Sequence, residues 1–462
     1  MNPELLRNLW LQVSPQRLIA APIILGAAFA LAGSATDSWE IVGRVAAFGY
    51  FVIAYLWGAR RAVNVLADEI AAGTWDGQRM SSIDPWTMAW GKLLGGTVYA
   101  WYCALLCLAT YAAAEVEVGR GGALITNLPI KITGALLVQA GALLLALVLV
   151  GKGRRLSRRT VAFAQGGALV VGLFGVSSVL LPSVTERFGF GLAERITWFG
   201  VAFRSDDFAL LTQVLFLGWA IAAVYRLMAG ELQVRQRPWV WLSFSLFLIL
   251  YYQGFLLVGL NDPWSLRLLP ALVVAVPLYY VALFAQSNDI IRYRWLLHHL
   301  GHGNWRNAQS LLPLWIPSLL LAAALSILVA VLARDDMQSF ADVERVARLW
   351  SMPIPAGTLP TAIALILFML RDLGIVLLLN FAKRPKAPDL AAVLYLIVLY
   401  GICGGLAMAA GATWLLPLFL PGAARSGLLV VLAPLVQVIL AVILLQRCWS
   451  AQDRTLELRP AA

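Results

Sequence analysis

All three histidines lie between positions 298 and 302, at His298, His299 and His302. His298 and His302 are one helical turn apart, a spacing at which two imidazoles can share a metal ion. Gly301 and Gly303 interrupt the helix there, and no carboxylate or cysteine adjoins the pair. The segment therefore reads as an interfacial basic helix, and no metal site is expected. Of the four cysteines, Cys103 and Cys107 sit one turn apart in an apolar helix, and Cys403 and Cys448 are isolated. That pattern suggests neither a disulfide framework nor a zinc site. With every histidine on one loop, no Ser–His–acid set can be assembled, so no catalytic residue is assigned and the chain is not expected to be an enzyme. Gly151-Lys152-Gly153 lacks the G-x-x-x-x-G-K-S/T spacing that cradles phosphates, and that spacing occurs nowhere in the chain. No cofactor is expected in this chain.

The most polar stretch of the first third is Arg60 to Lys92, between apolar runs at 41–58 and 93–113. Each run approaches the ~20 residues a helix needs to cross a bilayer. Arg60 and Arg61 mark an inner-face boundary. The helix is expected to continue through Asp68 and Glu69 and stop at Gly73. A short piece with Trp75, Asp76, Arg79 and Met80 follows. Asp84 and Pro85 then supply a cap and a first helical position for a helix entering the next span. This arrangement is an elbow lying along the membrane and presented to the cytoplasm.

The spacing of Glu69, Gly73-Thr74-Trp75-Asp76, Ser81 and Gly91-Lys92-Leu93 resembles the signature of ABC-2-type permeases, the membrane subunits of one class of ATP-driven exporters. In that family an acid, Gly-Thr, an apolar residue, a second acid, Thr-Pro and Gly-Lys follow at these intervals. A further family acid would fall on Ala71, and the usual proline on Ser82. The resemblance implies an elbow that contacts soluble ABC ATPase subunits through Glu69, Gly73, Thr74, Trp75, Asp76, Arg79, Asp84 and Trp86. It also implies that ATP and Mg are bound by that partner, and it admits a periplasmic or accessory membrane subunit. Under it, Glu69→Ala and Gly73→Val are expected to impair coupling while leaving expression and insertion near normal.

Composition bounds the fold. The chain has 462 residues, 61% hydrophobic and only 13% charged, against about a quarter charged in soluble proteins. An all-α polytopic membrane protein is expected, with lipid as its surroundings. The formal charge of +11 suits inner loops rich in Lys and Arg, and nucleic acid is not an expected partner. Twelve apolar runs are long enough to cross: 17–32, 41–58, 93–113, 132–150, 161–181, 208–228, 239–260, 267–285, 311–333, 354–372, 389–410 and 426–447. The loop at 151–160 carries Lys152, Arg154, Arg155, Arg158 and Arg159. It and Lys383-Arg384-Pro385-Lys386 share the inner face when both termini are cytoplasmic. Met1 to Arg17 reads as an amphipathic interfacial helix with Leu5, Leu6, Leu9, Trp10 and Val13 on one side, and no cleavable signal is expected.

Arg334 to Met352 reads as an amphipathic helix on the outer surface. Gly411 to Arg425, broken by Pro417 and Pro421, resembles the re-entrant outer element such permeases place before their last span. At membrane depth it must be buried in protein or line a cavity. Asn288 to Leu300 matches the pattern of the chain's start. On that match residues 1–286 form a first permease-like unit and 287–462 a second, degenerate one. Arg371, Asp372, Lys383 and Arg384 are candidates for its elbow. The span holding Arg371 is expected to end there, with the following residues along the interface.

The function expected is the permease of an ABC exporter in the cytoplasmic (inner) membrane of a bacterial cell. A secondary transporter driven by an ion gradient would call for acids deep in spans. An enzyme acting on lipid-linked substrates would call for clustered acids or histidines in outer loops, where Asp206-Asp207 and Asp335-Asp336 are the acidic pairs.

Overall fold

Backbone groups in hydrocarbon must be satisfied within the chain, which leaves helices as the natural form for apolar runs of this length. The computed structural model describes residues 2–81, 83–152, 161–162, 164–169, 195–234, 237–255, 264–333, 358–382, 388–421 and 427–457. Among them, ten helices are long and apolar enough to cross a membrane: Pro15–Thr36, Trp39–Ala71, Val98–Glu117, Gly121–Gly151, Ser205–Glu231, Arg267–Ala285, Trp315–Leu332, Thr358–Phe381, Pro388–Ala409 and Gly427–Ala451. Trp239–Gln253 is apolar but shorter. Most of the expected span at 161–181, the basic loop from 153 to 160, the expected outer helix at 334–352 and Lys383–Arg384 lie outside the described residues. The chain is a predominantly α-helical, multi-pass membrane protein; among the described residues the short strands Arg195–Trp198 and Val201–Arg204 pair in one two-stranded sheet.

The elements that matter below are α1 (Pro3–Gln12), α2 (Pro15–Thr36), α3 (Trp39–Tyr50), α4 (Gly58–Ala71), α5 (Trp75–Arg79), α6 (Pro85–Gly95), α7 (Val98–Glu117), α8 (Leu124–Gly151) and α9 (Ser205–Glu231). Between α3 and α4 the helix passes through a π-helical stretch, Phe51–Trp57. A π turn disturbs the regular backbone ladder. Here neighbours bond its carbonyls: Gln139 Nε2 donates to Ala54 O at 2.9 Å and Gln165 Nε2 to Leu56 O at 2.8 Å. Trp101 Nε1 holds the Gln139 oxygen at 2.9 Å. Gly58 lets Gln139 approach, since a Cβ there would collide with its amide.

By packing, the chain forms two compact units, residues 1–197 with 201–236, and residues 198–200 with 237–462. The core of the first gathers Tyr50, Ala54, Tyr55, Ala59, Ala62, Val63 and Leu66 with Leu143, Leu147 and Met228. The core of the second joins Ile249, Ala275, Tyr279, Leu283, Ala322, Met369, Val376 and Phe381. Helices Trp239–Gln253 and Trp264–Ala285 belong to the second packing unit because residues such as Ile249, Ala275 and Tyr279 pack with Ala322 of Trp315–Leu332 and Met369 of Thr358–Phe381.

Candidate functional site

The elbow forms as a helix, a stop, a short helix and a capped restart. Gly73 has φ +70°, and Thr74 N–H reaches back to Glu69 O at 3.0 Å, a left-handed helix stop that glycine adopts without Cβ strain. Asp84 Oδ2 accepts from the Trp86 and Thr87 amides at 3.0 and 3.1 Å, with Pro85 at the first helical position. The restart does not run on into the next span as expected. α6 ends at Gly95, and buried Thr97 precedes α7, its hydroxyl donating to Leu93 O at 2.7 Å. In α5, Trp75 is buried, while Asp76, Gly77 and Met80 are exposed, as are Gly73 and Thr74 before it. Arg79 donates to the Glu231 carbonyl at 3.0 Å and lies 3.6 Å from the carboxylates of Glu231 and Asp76. Trp86 packs edge-on against Trp90 and Tyr225.

Glu69 does not face outward. It follows Ala62, Val65 and Leu66 on the buried side of α4, and its carboxylate is paired with Lys92 and with Arg7. Lys92 is fully buried. Its ammonium also donates to Glu4 Oε1 at 3.1 Å and Gln78 Oε1 at 2.9 Å, and it sits 5.1 Å from the centre of the Trp75 ring. Two carboxylates, Glu4 and Glu69, thus meet two cations, Arg7 and Lys92, in a neutral knot. Removing one member would strand buried charge, which is where such knots are costly. The carboxylate is an internal tie, and on this geometry Glu69→Ala is expected to lower stability rather than leave expression near normal.

The N-terminal helix brings half of this knot. Glu4, Asn8 and Gln12 form one stripe of α1, and all three are buried. The stripe lies against glycines of α6: Cβ atoms at Gly91 and Gly95 would meet the Glu4 and Asn8 side chains. Asn2 Nδ2 donates to Thr87 O at 2.7 Å and Gln12 Nε2 to Gly96 O at 2.8 Å. Trp10 and Leu11 are exposed on the other side, consistent with an apolar face for lipid.

A second charged cluster occupies the helix Thr358–Phe381, which runs unbroken through Arg371 and Asp372. Arg371 lies about 20 Å from one end and about 15 Å from the other, at ~1.5 Å per residue. Both side chains are buried. The span does not end at Arg371 as expected. Gly374 instead allows close packing on Gly427–Glu457, where a Cβ would come within 2.8 Å of Ala441. Arg371 Nε and Nη2 donate to Asp372 Oδ1 at 2.9 and 2.7 Å. Asp372 Oδ2 accepts from Tyr280 at 2.6 Å and from Tyr400 at 2.7 Å, the latter on a second π-helical stretch, Val398–Cys403. Arg371 Nη1 donates to Gln437 Oε1 at 2.9 Å and to Leu418 O at 3.3 Å. Leu418 ends the 3₁₀ turn Thr413–Leu418, part of the segment expected to re-enter. That turn therefore reaches the middle of a span, with its Leu418 carbonyl held by Arg371 Nη1 and by Gln437 Nε2 at 3.1 Å.

Periodicity could have found Glu69, because it continues an apolar stripe at helical spacing. The polar stripe Glu4-Asn8-Gln12 is legible in the same way. Nothing in the spacing links Arg7 to Glu69, or Tyr280, Tyr400 and Gln437 to Asp372, since these meet only through packing.

No family model matches the chain, and no curated protein or solved structure matches it.

Proposed function

We propose that the chain is the membrane subunit of an ATP-driven exporter, similar to the ABC-2-type permeases, working in a cytoplasmic membrane with separate soluble ATPase subunits that bind ATP and Mg. The observation that carries this reading is the elbow. A short helix with Asp76, Gly77 and Met80 outward is held rigidly, through Trp75 and the Glu69–Lys92 knot, to the helices on either side and to α1. A push on α5 would pass into α4 and α6 without being absorbed by a slack loop. The contact face for an ATPase is then the exposed run Gly73, Thr74, Asp76, Gly77 and Met80, while Glu69 stiffens it from behind. The test is a photo-crosslinking residue at Met80 in cells, with identification of what it captures. Capture of a soluble chain carrying a phosphate-binding loop is expected. If no such chain is captured and transport persists without ATP, the reading fails.

One observation favours a second reading, an ion-gradient-driven transporter. Asp372 is an acid deep in a span, with two tyrosine hydroxyls on one oxygen, the kind of group such carriers use. Substrate movement by purified protein in liposomes, driven by a proton or sodium gradient with no ATPase present, would select it.

A further inference from the structure

Lys131 lies within the helix Gly121–Gly151, about 15 Å from one end and about 30 Å from the other at ~1.5 Å per residue. Its exposure is 4%. Among the described residues its ammonium has no hydrogen-bond acceptor and no carboxylate at ion-pair distance; it rests 4.8 Å from the centre of the Tyr111 ring. That face is attractive to a cation, but an aromatic ring does not replace a counter-charge. The nearby carboxylates also face other cations. Glu115, whose field reaches Lys131, is 3.9 Å from Arg120, and Glu40 is shared by Arg44 at 2.8 Å and Arg120 at 3.3 Å.

The position is fixed as well as buried. Tyr50 and Tyr55 both donate to the Lys131 carbonyl, at 2.9 and 3.2 Å, so one side chain just before the first π-helical stretch and one within it clamp α8 at this residue. Thr133 Oγ1 donates to Gln213 Oε1 at 2.7 Å on the neighbouring helix. Lys131 stands at the margin of the span expected at 132–150, where a buried cation with no hydrogen-bond or ion-pair partner among the described residues is costly. The arrangement of Lys131 differs from Arg371, whose donors are matched by Asp372, Gln437 and a carbonyl.

We propose that Lys131, with Tyr111, forms a binding site for an oxyanion, supplied either by an anionic lipid headgroup or by a small soluble phosphate. The ammonium provides the charge that the oxyanion meets, and the Tyr111 ring holds it in place. This stands whether or not an ATPase drives the protein, so its failure and that of the exporter reading are separate events.

The experiment uses the full chain purified into nanodiscs of zwitterionic lipid. Thermal unfolding is followed against inorganic phosphate in one arm and against added phosphatidylglycerol in the other. The parent is expected to be stabilised in at least one arm. Lys131→Met should weaken that response about tenfold or more, while Lys131→Arg keeps it. A response to phosphate identifies a soluble anion, and a response to phosphatidylglycerol alone identifies a headgroup. No response of the parent in either arm, or an equal response of Lys131→Met, overturns the site. Should Lys131→Met not fold, acetylation of Lys131 in the parent, mapped by mass spectrometry, decides: the effective anion must protect it, and unchanged acetylation overturns the proposal.

Discussion

The ammonium of Lys92 and the carboxylate of Glu69 form a buried ion pair that joins the helix entering the elbow to the helix leaving it. Both sit behind α5, so the exposed part of the elbow is supported by charge that solvent does not reach. Lys92→Met removes the cation shared by Glu4, Glu69 and Gln78. A loss of about 3–5 kcal/mol of stability is expected, the usual cost of stranding a buried charge. Glu69→Gln combined with Lys92→Met should recover part of it. Thermal unfolding in detergent, with expression yield, measures both; a single variant as stable as the parent would remove the knot from the account.

Gly73 makes a different demand. A Cβ there meets nothing within 4 Å, so only its φ of +70° resists substitution. Gly73→Asn should be tolerated, since asparagine enters this conformation readily, whereas Gly73→Val should cost about 1–2 kcal/mol. Valine should also disturb the direction of α5 and reduce crosslinking from Met80. Comparing the two variants separates turn geometry from side-chain bulk.

At Gly58 the cost is steric. Gly58→Val would press on Gln139 and break its bond to Ala54 O. A destabilisation of about 1–3 kcal/mol is expected from the overpacking. Gly26, with open space around its Cβ, serves as the control site, and the same change there should cost less.

The Asp372 cluster predicts graded losses. Tyr400→Phe deletes one hydrogen bond to a charged acceptor, worth about 1.5–3 kcal/mol. Asp372→Ala strands Arg371 and should cost more. Gln437→Leu removes the bond from Gln437 Nε2 to Leu418 O at 3.1 Å and leaves only that from Arg371 Nη1 at 3.3 Å. In a background without native cysteines, a cysteine at Leu420 should then label faster with a thiol reagent than in the parent. Equal labelling would mean that Gln437 does not seat the segment.

The sidedness read from basic loops is also testable. A cysteine at Gly122 should label from outside intact cells, and one at Gly77 should not; both positions are exposed. Labelling of Gly77 from outside would reverse the elbow's side.

Residue types and spacing alone determined that this chain is a bundle of apolar helices. They also located the elbow, its stop at Gly73 and its restart at Asp84-Pro85, because caps and turns depend on neighbours in the chain. Glu69 and Arg371 show what they could not determine. A carboxylate one turn beyond an apolar stripe reads equally as a contact for a partner or as an internal tie. Here Lys92 and Arg7, from the helix beyond the elbow and from the N-terminus, made it internal. An arginine inside a run of leucines reads as the end of a span unless its charge is met. The tyrosines at 280 and 400, Gln437 and the Leu418 carbonyl meet the charges of Arg371 and Asp372 from four other segments, so the helix continues. Local rules are written in sequence, but the cost of burying a charge is set by what packing brings within 3 Å of it, and only the tertiary structure decided that.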